Sequence, residues 1–176
     1  MTLPSIETLY TVCEKTWPCA AESSAGGFTI RDGQGGGKRV SAATLDGSLD
    51  DCNLPAAEAA MMALKQTPLF QIREGENALD GLLDANGYSV IDRVNVYAAP
   101  VETLATEVPP RTIAIPAWEP LQIMKEIWAE GGIGPERVDV MRRAEGPKTG
   151  FLSRFNDKPA GTSYAAMHDG ISMLHA

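Results

Sequence analysis

The sequence predicts an α+β protein in two halves, each a mostly antiparallel sheet flanked by helices, with the second half incomplete. Three observations predict it. Segments with apolar residues at helical spacing are interspersed with short β-branched runs bounded by turn residues. Val108-Pro109-Pro110 has linker composition, dividing the chain into expected domains at residues 1–108 and 109–176. Beyond it lie two hairpin signals, Asn156-Asp157 and His168-Asp169-Gly170, between alternating runs.

Taken in order, Ser5 is placed to cap a first helix carrying Ile6, Leu9, Tyr10 and Cys13, which Trp17-Pro18 stops. The polar stretch 21–27 is expected as a loop. Residues 27–31 and 39–45 are expected as a hairpin around the glycine-rich turn 32–38. Ala56 to Gln66 predicts a helix ended by Thr67-Pro68, followed by a strand at 69–73. Asn77 is placed to cap a helix over 78–86 that Gly87 closes, and 90–97 predicts a strand, completing a β-α-β unit. Past the linker, Leu121, Met124, Ile127 and Trp128 mark a helix ending at Gly131-Gly132, and Pro135 opens another running to Arg143. The period then changes. Residues 149–155, 160–167 and 171 onward predict three strands of a meander, the last an open edge.

Composition narrows the function classes. The chain has 176 residues with 15 Lys+Arg against 23 Asp+Glu, a formal net charge of −8, so it is a poor general binder of nucleic acid or anionic membrane. Hydrophobic residues make up 44%, enough for a packed core. The start MTLPSIETLY carries acid where a signal peptide carries lysine, and no run approaches a membrane span, so the expected location is cytoplasmic. Cys13, Cys19 and Cys52 are odd in number and lack CxxC spacing, which favours reduced thiols and no metal site.

Motif tests mostly exclude. Asp32-Gly33-Gln34-Gly35-Gly36-Gly37-Lys38-Arg39 fails the phosphate-loop pattern, because Asp32 and Arg39 stand where Gly and Ser/Thr are needed, and it fails the dinucleotide pattern too. His168 and His175 are the only histidines, too few for a zinc triad, and His175 is open to two roles, a cleft-facing proton shuttle or a satisfied strand residue. No serine lies in a G-x-S-x-G elbow, and aromatic residues, at 6%, do not interleave with basic ones.

Two stretches resemble the two-domain type of the GNAT superfamily of acetyl-CoA-dependent N-acetyltransferases. The first runs from Phe151 through Asn156-Asp157, the small-residue run Ala160-Gly161-Thr162-Ser163 and His168-Asp169-Gly170 to Ala176, similar to the meander whose last strand leads to the cofactor site. The second joins Trp17-Pro18, Phe28-Thr29-Ile30-Arg31, the glycine turn and Arg39, with Leu69 to Tyr97 closing that half; it is similar to the family's degenerate N-terminal domain. The resemblance implies transfer of acetyl from acetyl-CoA to an amine of a small molecule or peptide. It also implies Leu174 and His175 at the opening of the cofactor strand, and Trp17, Arg31 and Arg39 facing a substrate cleft; no catalytic residue is assigned. The family's Arg/Gln-x-x-Gly-x-Gly/Ala pyrophosphate loop should follow the strand begun at Ile171, and the sequence ends first. The expectation is therefore a truncated enzyme that by itself binds acetyl-CoA weakly or not at all. The alternative is a non-catalytic interaction module that pairs its open edge strand with a partner or a second copy as a homodimer.

Overall fold

In a computed structural model, residues 3–175 are described. In chain order they form α1 (Ile6–Thr16), β1 (Ala21–Ala25), β2 (Phe28–Asp32), α2 (Lys38–Ser41), β3 (Thr44–Leu45), α3 (Leu54–Ala63), α4 (Asn77–Ala85), α5 (Val101–Leu104), β4 (Ala114–Ala117), α6 (Gln122–Glu130), α7 (Pro135–Arg143), β5 (Lys148–Phe155), β6 (Lys158–His168) and β7 (Ile171–His175). The class is α+β, with one three-stranded and one four-stranded antiparallel sheet.

The chain divides into two compact units, but not at 108/109. One unit is Cys19–Asn95; the other joins the segment ending at Pro18 to everything from Val96 onward. The first helix therefore belongs with the C-terminal sheet, a long-range association that local spacing does not encode.

Within the 19–95 unit the strand order is β1-β2-β3. Gly26 and Gly27, with φ of 58° and 78°, make the two-residue turn joining β1 to β2, a backbone conformation glycine adopts without strain. The expected loop at 21–27 is thus largely a strand. It escaped the sequence reading because β1 is an edge strand exposed along most of its length, with no apolar alternation to betray it. The second expected hairpin arm, 39–45, is instead the turn of helix α2 plus the two residues of β3. Gln66 explains the change: its side-chain amide donates to the Arg31 carbonyl at 2.8 Å and accepts from the Gly33 amide at 2.7 Å, standing in for a neighbouring strand at the end of β2.

The expected strand at 69–73 reduces to one parallel bridge, Ala43 to Phe70. The expected strand at 90–97 is exposed and has no regular secondary structure, and no strand pairs with it among the described residues. Both helices predicted in this half are present, α3 starting two residues early where Asn53 accepts from the Ala56 amide, and α4 closing at Gly87 with φ 83°. Phe28, Ile30, Ala43, Leu54, Ala57, Met61, Leu79 and Leu83 form the core of this unit. Phe70 links Phe28 to Tyr88 by edge-to-face contacts at 5.0 and 5.3 Å. Each large side chain there contributes roughly 1.5–3 kcal/mol through burial.

In the other unit the sheet order is β4-β5-β6-β7. The meander matches expectation: Asn156-Asp157 and Asp169-Gly170 each turn a hairpin with positive φ at both central residues. Pro135 opens α7 as predicted. Strand β4 was not foreseen, since Pro116 argues against a strand; it is tolerated because β4 pairs on one side only. Gly150 on β5 lets α6 come close, for a Cβ there would lie 2.4 Å from the Met124 terminal methyl and 3.6 Å from the Trp128 ring.

Candidate functional site

Strand β7 is an edge of the four-stranded sheet and carries both residues that the resemblance assigns to the cofactor side. They point in opposite directions, as period-two alternation requires: Leu174 is 74% exposed and His175 is buried. His175 stacks on Trp17, centroids 4.9 Å apart and planes 21° apart, while Tyr164 lies edge-on to Trp17 at 6.0 Å and tilted to His175 at 5.8 Å. Trp118, just past β4, extends the cluster to Tyr164 at 5.6 Å, and the Lys148 ammonium sits 5.2 Å from the Trp118 ring centroid.

The polar atoms of this cluster are ordered by hydrogen bonds. Thr16 donates from its hydroxyl to the Val12 carbonyl at 2.6 Å, which leaves Thr16 Oγ1 as acceptor for the His175 Nε2–H at 3.0 Å and so assigns the proton to Nε2. Tyr164 donates from its hydroxyl to the Met141 carbonyl of α7 at 3.0 Å, and burial pushes its pKa well above the ordinary tyrosine value. The Lys148 ammonium donates to the Arg142 and Ala144 carbonyls, satisfying the C-terminal end of α7. This arrangement fixes His175 as a ring wedged between α1 and β6. Of the two roles open to it from the sequence, the geometry is that of a satisfied strand residue.

Trp17 and His175 are thus brought together, in one unit. Arg31 and Arg39 belong to the other. Arg31 is buried and donates to the Ala42 carbonyl and the Thr44 hydroxyl, both at 3.0 Å, with Glu22 3.5 Å from its Nε. Arg39 is exposed on α2. Near Arg31, the Cys19 thiol donates to Glu22 at 3.8 Å; burial first, then the Glu22 charge, raises its pKa, which disfavours the reactive thiolate.

Sequence reasoning did not single out Thr16 or Tyr164. Tyr164 had a signal, a lone large aromatic inside a run of Ala, Gly, Ser and Thr on a predicted strand. Thr16 had none. Elsewhere in the same unit, a hollow of about 210 Å³ between α6 and α7 is floored by Ala129, Ile133, Pro135 and Val138 and rimmed by Lys125 and Arg142. Arg142 is held by Glu119 at 2.9 Å and Asp139 at 2.7 Å, hydrogen bonds that raise its pKa further. Among the described residues no group of three or more His, Cys, Asp or Glu is placed to hold a metal ion, and no helix is long and apolar enough to cross a membrane.

No protein-family model, no curated protein and no solved structure matches this chain.

Proposed function

We propose that this chain carries part of a GNAT-like N-acetyltransferase, an enzyme that moves acetyl from acetyl-CoA to an amine. One observation supports the reading most: α6 and α7 lead directly into the β5-β6-β7 meander of one sheet, and β7, where the cofactor strand is expected, lies at that sheet's edge. The exposed Leu174 side chain then faces outward on the cofactor strand, while His175 holds the same strand against α1.

In such an enzyme the acetyl group passes directly from thioester to amine. The protein positions the amine, removes its proton and steadies the thioester oxyanion with a backbone amide. The residues in hand do not supply the pyrophosphate cradle, since no segment of the 176 residues reads Arg/Gln-x-x-Gly-x-Gly/Ala. Without those amides a multiply charged ligand lacks its main anchor, so no step is assigned through it here. The role of Trp17 in this reading is to brace β7 through its stack on His175. Arg31, which donates to the Ala42 carbonyl and the Thr44 hydroxyl, orders β2 against β3.

The test is the coding sequence past the Ala176 codon. An Arg/Gln-x-x-Gly-x-Gly/Ala segment within about one helical turn of the end of β7 is the expected result. A stop codon, or a continuation without that pattern, overturns the reading and favours the interaction module.

A further inference from the structure

We propose that Asn86-Gly87 is a site of spontaneous modification, converting to aspartyl and isoaspartyl forms, and that the C-terminal cap of α4 keeps it closed while the helix is formed. Of the chain's asparagines, Asn86 is the one that precedes a glycine. Glycine leaves its own amide nitrogen unshielded, and here both residues are exposed, with open space where a Gly87 Cβ would stand.

The reaction needs only water. Solvent takes the Gly87 amide proton and that nitrogen attacks Asn86 Cγ; the N–Cγ bond forms, the Cγ–Nδ2 bond breaks, and Nδ2 takes up a proton and departs as ammonia. Water then opens the five-membered imide at Cγ, giving aspartate, or at the Asn86 main-chain carbonyl, giving isoaspartate. Either way a carboxylate replaces a neutral amide.

The fold opposes the first step. Asn86 ψ of 14° turns the Gly87 nitrogen away from Asn86 Cβ, whereas ring closure needs both on one side of the Cα–C bond. The Gly87 N–H donates to the Asp84 carbonyl at 3.0 Å and the Tyr88 N–H to the Leu83 carbonyl at 3.1 Å, the paired bonds of a Schellman cap. Asn86 Nδ2 donates to the Leu82 carbonyl at 2.8 Å, tying the leaving amide to the helix. Leu83 is in the core and Tyr88 packs edge-on against Phe70 at 5.3 Å, so the cap is anchored and opens only when this end of α4 unwinds. The products then resist closure. Isoaspartate lengthens the main chain by one carbon, while aspartate loses the bond to Leu82 and sets a negative charge at the negative end of the helix dipole.

Peptide mapping of the whole chain, kept in mildly alkaline buffer with and without denaturing guanidinium chloride, tests this through the tryptic peptide Glu74–Arg93. In denaturant the peptide should gain nearly one mass unit at Asn86 and split into two chromatographic forms, while Asn77 beside it stays intact. In the folded chain conversion should be at least about tenfold slower. Tyr88→Ala, which removes the ring that anchors the cap, should bring the folded rate severalfold toward the denatured one, and Asn86→Gln should abolish conversion in both. The modified chain, refolded, should exchange amide hydrogens over 82–88 faster than the unmodified chain. No conversion in denaturant, a folded rate within about tenfold of the denatured rate, no acceleration by Tyr88→Ala, conversion that survives Asn86→Gln, or unchanged exchange in the modified chain overturns the proposal.

Discussion

The imidazole of His175 stacks on the indole of Trp17, with ring centroids 4.9 Å apart. Near the start and near the end of the described chain, these residues join α1 to the last strand of the C-terminal sheet, supported by the hydrogen bond between Thr16 and His175. The first helix is consequently a structural part of the unit that holds the proposed cofactor strand.

Removing that stack should loosen β6 and β7 selectively. Trp17 is 7% exposed and touches both Tyr164 and His175, so Trp17→Ala is expected to destabilise its unit by about 3–5 kcal/mol. Hydrogen exchange read by mass spectrometry should show faster exchange in 158–175 and unchanged exchange in β2 and α3. Unaltered protection of β7 would contradict the bracing role.

Arg31 separates a structural role from a substrate-binding one. Arg31→Met keeps an unbranched apolar stem but leaves the Ala42 carbonyl and Thr44 hydroxyl without this donor, a loss of about 1–3 kcal/mol. Chemical denaturation should show that loss in the 19–95 unit. A substrate-facing arginine would leave stability unchanged.

Gly26 should tolerate no side chain. Its φ is 58°, and a Cβ would lie 2.2 Å from the Asn53 carbonyl oxygen, which sits at the cap of α3. Gly26→Ala is expected to lose about 1–3 kcal/mol from backbone strain alone, with the backbone clash adding to it. Urea titration of the variant checks this, and a wild-type midpoint would show that the turn is not as described.

How much of this was legible follows the range of the interaction that decides each feature. Asp169-Gly170, Asn156-Asp157, Pro135 and Gly87 act within a few residues, and the elements they bound appear where their chemistry put them. Strand β1 and the α2 turn were not legible, because a glycine pair and the distant Gln66 side chain decide them rather than any periodicity. The stretch 90–97 carries strand residues, but a strand also needs a partner backbone, and none of the described strands supplies it. Of the candidate site, the alternation on β7 was readable; its contact with Trp17 joins the two ends of the chain and left no local mark.

Alkaline pH should weaken the 19–95 unit through Tyr88. Burial, then the hydrogen bond it donates to Glu58 at 2.6 Å, raises its folded pKa well above the ordinary value of about 10. A raised folded pKa favours the protonated form, so this stabilisation is complete below the unfolded pKa and is lost as pH rises from about 10 toward the folded value. The urea midpoint of the wild type should fall between about pH 9.5 and 11 more steeply than that of Tyr88→Phe. Parallel slopes would contradict the assignment.

The central claim is that these residues hold the cofactor strand of an acyltransferase but not the cradle for its phosphates. Calorimetric titration of acetyl-CoA tests it most directly, run on this chain and, where the coding sequence continues past the Ala176 codon, on the chain so continued. The account predicts no saturable binding by the first up to about 1 mM and binding on the order of micromolar by the second. Micromolar binding by the 176 residues alone, or none by the continued chain, would contradict it.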